Sequence, residues 1–245
     1  MMGMTLIIAR RELAAYFATP LAYVFVLIFL MLSGAFTFYL GGFYERGQAD
    51  LVAFFSFHPW LYLFLVPALA MRLWAEERKS GTIELLLTLP ISRLQAVIGK
   101  FLAAWLFTGL ALVLTFPLWI TVNVLGSPDN GVILASYAGS WLMAAGFIAI
   151  GSCMSALTRN QVIAFILTAV VCLLFILSGF PLVLDTVSAW APRTVVDAVA
   201  SMSFLTRFNS VARGVIGLQD LLFFVALTVV WLVATTVVIE LKQAD

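Results

Sequence analysis

The side chains of this 245-residue chain that could do chemistry are few and scattered. Ser152, in Ile150-Gly-Ser-Cys153, is a candidate nucleophile, and His58, the one histidine, is the one imidazole base that could serve it. Both fall in long apolar runs, His58 at the start of one and Ser152 near the far end of another. At 1.5 Å per helical residue they are expected roughly 20 Å or more apart in depth, whereas proton transfer needs ~3 Å. Cys153 and Cys172 lack a CxxC or Cys/His spacing and read as small buried hydrophobes. A lone histidine argues against a multi-histidine metal site. The nearest string to a phosphate-binding loop, Ile98-Gly-Lys-Phe101, lacks the first glycine and the closing hydroxyl residue. No apolar run has an ionisable residue at its centre, where an ion-driven carrier would need one. What remains is a water-facing stretch dense in charge, AEERKSGTIELLLTLPISRLQAVIGK, residues 75–100, set between two apolar runs.

That stretch has local structure written into it. Glu76, Glu77, Arg78 and Lys79 prolong the preceding helix until Ser80-Gly81 breaks it, because glycine loses the most backbone entropy in a helix and serine favours a cap. A short helix fits Thr82–Leu89, with Ile83, Leu86 and Leu87 on one apolar side and Thr82 and Glu84 off it. Pro90 stops it, having no N–H to give and pushing its predecessor out of the α region. Ser92-x-x-Gln95 has the form of a capping box that opens the next helix.

These elements belong to a membrane protein. The chain is 64% hydrophobic and 10% charged, whereas about a quarter of the residues of soluble domains are charged. A net charge of +1 offers no basic surface for nucleic acid. No signal-peptide pattern opens the chain, so the first span is expected to direct insertion itself. Residues 4–17 read as an interfacial amphipathic helix, with Leu6, Ala9, Leu13 and Phe17 on its apolar side and Arg10, Arg11 and Glu12 mostly elsewhere. Six apolar runs follow, at 21–42, 58–74, 101–124, 132–156, 162–184 and 221–239, each near the ~20 residues that cross the hydrocarbon. Pro67 predicts a kink in the second.

Nine of the 13 lysines and arginines fall in the N-terminal helix, residues 72–100, the 157–161 loop and the C-terminus, which puts those segments in the cytoplasm. Arg46, Arg193, Arg207 and Arg213 fall on the other side. There, residues 43–57 read as a modest loop and 126–131 as a tight turn. The link 185–220 is too polar to span and too apolar to float, so short re-entrant or interfacial helices are expected, with Asp220 capping the last span. Tyr39, Phe43, Tyr44, Trp60 and Tyr62 at outer span ends, and Trp74 and Trp105 at inner ones, read as interfacial belts.

The motif from Pro67 to Ala103, PALAMRLWAEERKSGTIELLLTLPISRLQAVIGKFLA, resembles the cytoplasmic coupling region of ABC-2 type transporter permeases, most closely the gliding-motility type. SMSFLTRFNSVARGVIGLQD, residues 201–220, resembles the family more moderately. The resemblance implies an all-α polytopic fold as one transmembrane domain over 1–245. It has six transmembrane helices, an interfacial elbow helix over 1–19 with Arg10 and Arg11, a coupling segment over 75–94 and outer-leaflet helices over 185–220. It implies a subunit that is not itself an enzyme, with ATP and Mg on two copies of a partner ATPase and no cofactor in this chain. That ATPase is expected to grip Glu76, Glu77, Arg78, Gly81, Thr82, Ile83, Glu84, Leu86, Leu87 and Pro90. A second permease chain, membrane lipids and an accessory periplasmic or membrane protein are the other partners implied, in a bacterial inner membrane with both termini inside. The alternatives are an intramembrane hydrolase or an ion-coupled carrier without an ATPase partner.

Overall fold

The structure, a computed structural model, describes residues 2–83, 91–215 and 217–242. Among them every regular element is helical. The interfacial helix α1 (Met2–Phe17) is followed by α2 (Pro20–Ala35), which runs on through a π-helical turn, Phe36–Leu40. Two short helices, α3 (Phe43–Arg46) and α4 (Val52–Ser56), occupy the expected outer loop and bury Phe43, Phe54 and Phe55. Then come α5 (His58–Ala70) and α6 (Arg72–Ser80), parted at Met71. Beyond the undescribed residues stand α7 (Arg93–Val113), α8 (Phe116–Leu125) and α9 (Asn130–Leu157). The chain closes with α10 (Gln161–Leu177), α11 (Pro181–Ser188), α12 (Arg193–Ser201), α13 (Phe204–Ala212) and α14 (Leu218–Leu241).

Helix α9 is the axis of the bundle, touching α5, α6, α7, α10, α13 and α14. Its sequence explains why: Gly, Ala and Ser fill much of it, and small residues let helix backbones approach closely where lipid offers no hydrophobic drive. From Met143 to Ala156 every residue is buried. Elsewhere the apolar side chains point outward, as with Leu27 and Met31 of α2, Val170 and Leu174 of α10, and Val229, Val230 and Val233 of α14. So large an exposed apolar surface fits hydrocarbon, not water.

Four segments are long and apolar enough to cross a membrane: 22–40, 93–125, 130–157 and 218–241. The pair α10 and α11, bent by 73°, makes a fifth if counted as one span. The expected run 162–184 therefore breaks at Ser178-Gly-Phe180, where Pro181 opens a new helix at the position its missing N–H favours. The count of six is not reached by length and composition, because the expected second span, 58–74, is divided. Helix α5, with 13 residues, reaches only about 20 Å. The break at Met71 follows Pro67 by one turn, and the segment is enclosed by other helices, the setting in which irregular backbone is tolerated at membrane depth.

Three local expectations need correction. Helix α1 turns Ile8, Ala9, Glu12, Leu13 and Tyr16 inward, while Leu6 is 67% exposed, because α7 offers Gly99 as the hollow that receives Ile8. Asp220 does not cap α14: Gly217 holds the N-cap, and Asp220 Oδ1 accepts from Arg207 Nη1 at 3.1 Å. Tyr62 and Trp74, expected in interfacial belts, are each only 1% exposed. The expected Ser92–Gln95 capping box is present, with Gln95 N donating to Ser92 Oγ at 3.2 Å and Ser92 N to Gln95 Oε1 at 2.9 Å.

Candidate functional site: the charged segment and its anchors

Helix α6 begins abruptly after Met71, and no side chain of its own caps it. The first turn of a helix has N–H groups without partners inside the helix. Here Ser155 of α9 supplies the acceptor: its hydroxyl takes the N–H groups of Trp74 and Ala75, both at 3.0 Å, and donates to the Met71 carbonyl at 2.8 Å. One turn earlier on α9, Ser152 Oγ accepts from the Trp74 indole at 3.0 Å. The same face brings Gly151 against Ala70. A Gly-Ser-x-x-Ser row on α9 thus fixes the direction in which α6 leaves the bundle.

Along α6, Leu73, Trp74 and Ala75 are buried, and of the charged residues after them Glu77 and Arg78 reach other helices. Glu76 takes two hydrogen bonds from Arg72, at 2.7 and 3.1 Å. Those bonds hold its carboxyl below the ordinary value of 4.5. Glu77 Oε1 lies 2.8 Å from Lys100 Nζ, and Arg78 Nη1 donates to the Ala156 carbonyl at 2.5 Å. Lys100 itself is only 3% exposed, reaches Glu12 Oε2 at 3.2 Å, and lies 5.4 Å from the Trp74 ring centre. Neither Glu12 nor Lys100 stands out from the sequence as a site residue. The signal was there: Lys100 in IGKFLAAWLF is a cation entering an apolar helix, and such a lysine needs carboxylates.

An open cavity of about 250 Å³ lies between α1 and α6, lined among others by Glu12, Tyr16, Thr19, Arg72, Glu76 and Lys100. Burial pushes the Glu12 pKa up, but Lys100 and Arg11 outweigh it and leave the group below 4.5. A depressed carboxylate stabilises the fold above its unfolded-state pKa and loses that contribution as pH falls through the folded one. Acidification below about pH 4.5 is therefore expected to lower the melting temperature of the wild-type chain more steeply than that of Glu12→Gln, a difference that thermal unfolding in detergent across that range measures.

Gly81 ends α6 in the left-handed region, φ 74°, as the Ser80-Gly81 break predicts. Among the described residues no neighbouring atom lies within 4 Å of where a Cβ would sit, and the constraint they show is backbone conformation. Gly81→Ala is expected to cost about 1–2 kcal/mol. The check is faster tryptic cleavage at Lys79 in the variant. Thr82 is exposed and Ile83 packs partly against the core, whereas Glu84, Leu86, Leu87 and Pro90 lie outside the described residues. Arg10 and Arg11 are exposed on α1, Arg11 reaching Glu12 at 2.7 Å.

The same end of the bundle gathers the other segments expected to share a side. Arg93 pairs with Glu240 at 2.9 Å, and Lys242 donates to the Leu157 carbonyl. The opposite end holds Arg46 with Asp50 and Arg207 with Asp220. The hydrolytic pair is not assembled: Ser152 faces Trp74, while His58 Nδ1 lies 3.1 Å from Ser140 Oγ, itself 2.8 Å from Tyr62 Oη. All three of those polar side chains are buried among aromatic rings such as Phe29 and Phe54.

No curated protein matches the sequence significantly. The family model described as ABC-2 family transporter protein matches residues 6–243. With nearly the whole sequence inside that match, the chain belongs to the ABC-2 family of transporter proteins.

Proposed function

We propose that this chain is the permease subunit of an ATP-driven exporter of the gliding-motility type, which turns ATP hydrolysis on a separate subunit into substrate export or mechanical work. Two such ATP-binding subunits, carrying ATP and Mg, act on a pair of permease chains in a bacterial inner membrane, with both termini cytoplasmic. Closure of the ATPases moves the segment after Gly81, and α6 and α7 convert that displacement into opening between the permeases. The family match supports a membrane permease. The observation that carries the coupling reading is the contrast within residues 72–82: the root is clamped by buried polar contacts to α9 and α7, while Lys79, Ser80, Gly81 and Thr82 are exposed. A clamped root with exposed residues at 79–82 beyond it is what a lever requires.

One element of the expected grip shifts. Glu76, Glu77 and Arg78 each have a partner within this chain, so we assign them to holding the segment's root and leave the partner's contact to residues from Gly81 onward. Co-expression with an ATP-binding subunit from the same genome tests the reading. The complex is expected to survive detergent purification and to lose its ATPase when Leu86 is replaced by Asp. Failure to copurify, together with ATPase indifferent to Leu86→Asp, would overturn it.

A further inference from the structure

We infer that Lys100 is a positioning residue: it ties the charged segment to the interfacial helix α1 and passes the segment's displacement to it. The inference rests on the coupling reading above and adds a second output to the lever. Helix α1 packs along α7 and α2, but between it and α6 lies the open 250 Å³ cavity, across which apolar contact cannot carry force. Lys100 spans that gap. Its ammonium is bonded to Glu12 of α1 at 3.2 Å and to Glu77 of α6 at 2.8 Å.

The chemistry makes this link specific. A lysine that is 3% exposed has given up most of its hydration, and the two carboxylates take the place of the lost water contacts. The dependence is mutual, since the second oxygen of Glu77 is buried and has no donor among the described residues, where Lys100 is the cation that holds this carboxylate. Next to it, Gly99 lets Ile8 sit against α7: a Cβ there would lie 2.7 Å from Ile8 Cγ2. Helix α1 is thus seated on α7 at the same level at which it is bridged to α6. Glu77 stands four residues before the left-handed turn at Gly81, so a pull on the tip reaches Glu77 first and Glu12 through Lys100.

The test uses the permease complexed with its ATP-binding subunit in lipid nanodiscs, carrying an environment-sensitive fluorophore at Leu6→Cys on α1 or Ser80→Cys on the segment. Both positions are exposed, and the native Cys153 and Cys172 are buried. Trapping with ATP, Mg and vanadate is expected to shift both labels in the otherwise wild-type chain. In the neutral triple variant Glu12→Gln, Glu77→Gln, Lys100→Met, which leaves no buried charge unpaired, the Ser80 label should still respond while the Leu6 response is largely lost. Lys100→Arg alone, with Glu12 and Glu77 intact, should keep the Leu6 response. A Leu6 label that responds equally in the triple variant, or never responds while Ser80 does, overturns the role of Lys100 alone. A Ser80 label silent in the otherwise wild-type complex overturns the coupling reading and this inference together.

Discussion

Ser155→Ala is expected to destabilise the bundle by roughly 2–4 kcal/mol, because the variant strips partners from several buried backbone groups at once. The Ser155 hydroxyl serves the N–H groups of Trp74 and Ala75 and the carbonyl of Met71, at a site with 0% exposure. Water cannot replace it there, and a buried donor left unpaired costs about 1–3 kcal/mol. The effect should also be directional. Without the clasp, α6 is free to swing about Met71, so the complex should lose ATPase coupling at temperatures where the chain is still folded. Thermal unfolding and ATPase assays of Ser155→Ala beside the exposed control Ser80→Ala, expected within about 0.5 kcal/mol of wild type, decide it.

Gly151→Ala is expected to cost a similar amount, about 2–4 kcal/mol, by forcing two helices apart in a well-packed core. Its Cβ would collide with the Ala70 Cβ and lie 3.2 Å from Thr168 Cγ2. Neither neighbour is the far end of a flexible chain, so α5, α9 or α10 must move as a body. The contrast is Gly34→Ala in α2, where no atom waits within 4 Å and helix propensity should favour alanine by up to about 1 kcal/mol. Two identical glycine-to-alanine changes with opposite signs, read from melting temperatures in the same detergent, separate close helix packing from propensity.

The parts of this architecture governed by local chemistry can be read from the sequence. The Ser80-Gly81 stop, the Ser92–Gln95 box and the Pro-Asp turn before α9 each rest on one or two side chains acting on their own backbone. What a side chain meets across the bundle is harder to read, and the bilayer makes it harder still. In water an apolar stripe marks the inner face, but in lipid both faces are apolar, so periodicity loses contrast. That is why the stripe on α1 is expected to include Leu6 and Phe17, whereas Ile8 joins Ala9 on the buried side and Leu6 and Phe17 are exposed.

The same limit applies to the polar residues. Ser152 attracts notice as a nucleophile because hydroxyl chemistry is visible in a string of letters, whereas its bond to Trp74 joins residues 78 apart in the sequence. Lys100 counts as one more cation on the basic side of the chain until Glu12 and Glu77 are seen to converge on it. Asp220 suits a cap by its type, yet the Arg207 guanidinium, 13 residues back, claims its carboxylate. Pairings of opposite charge in an apolar chain are few enough that each lone charge near a span end can be asked for its partner.

The most direct measurement places a photoreactive amino acid at position 86 of the permease, in cells that also produce the ATP-binding subunit. Irradiation is expected to yield one covalent adduct with that subunit, and none from the same probe at Tyr39, which is 91% exposed beyond the opposite end of α2. Position 86 labelling a periplasmic protein, or yielding no adduct while the probe at Tyr39 captures the ATP-binding subunit, would contradict a lever gripped from the cytoplasm.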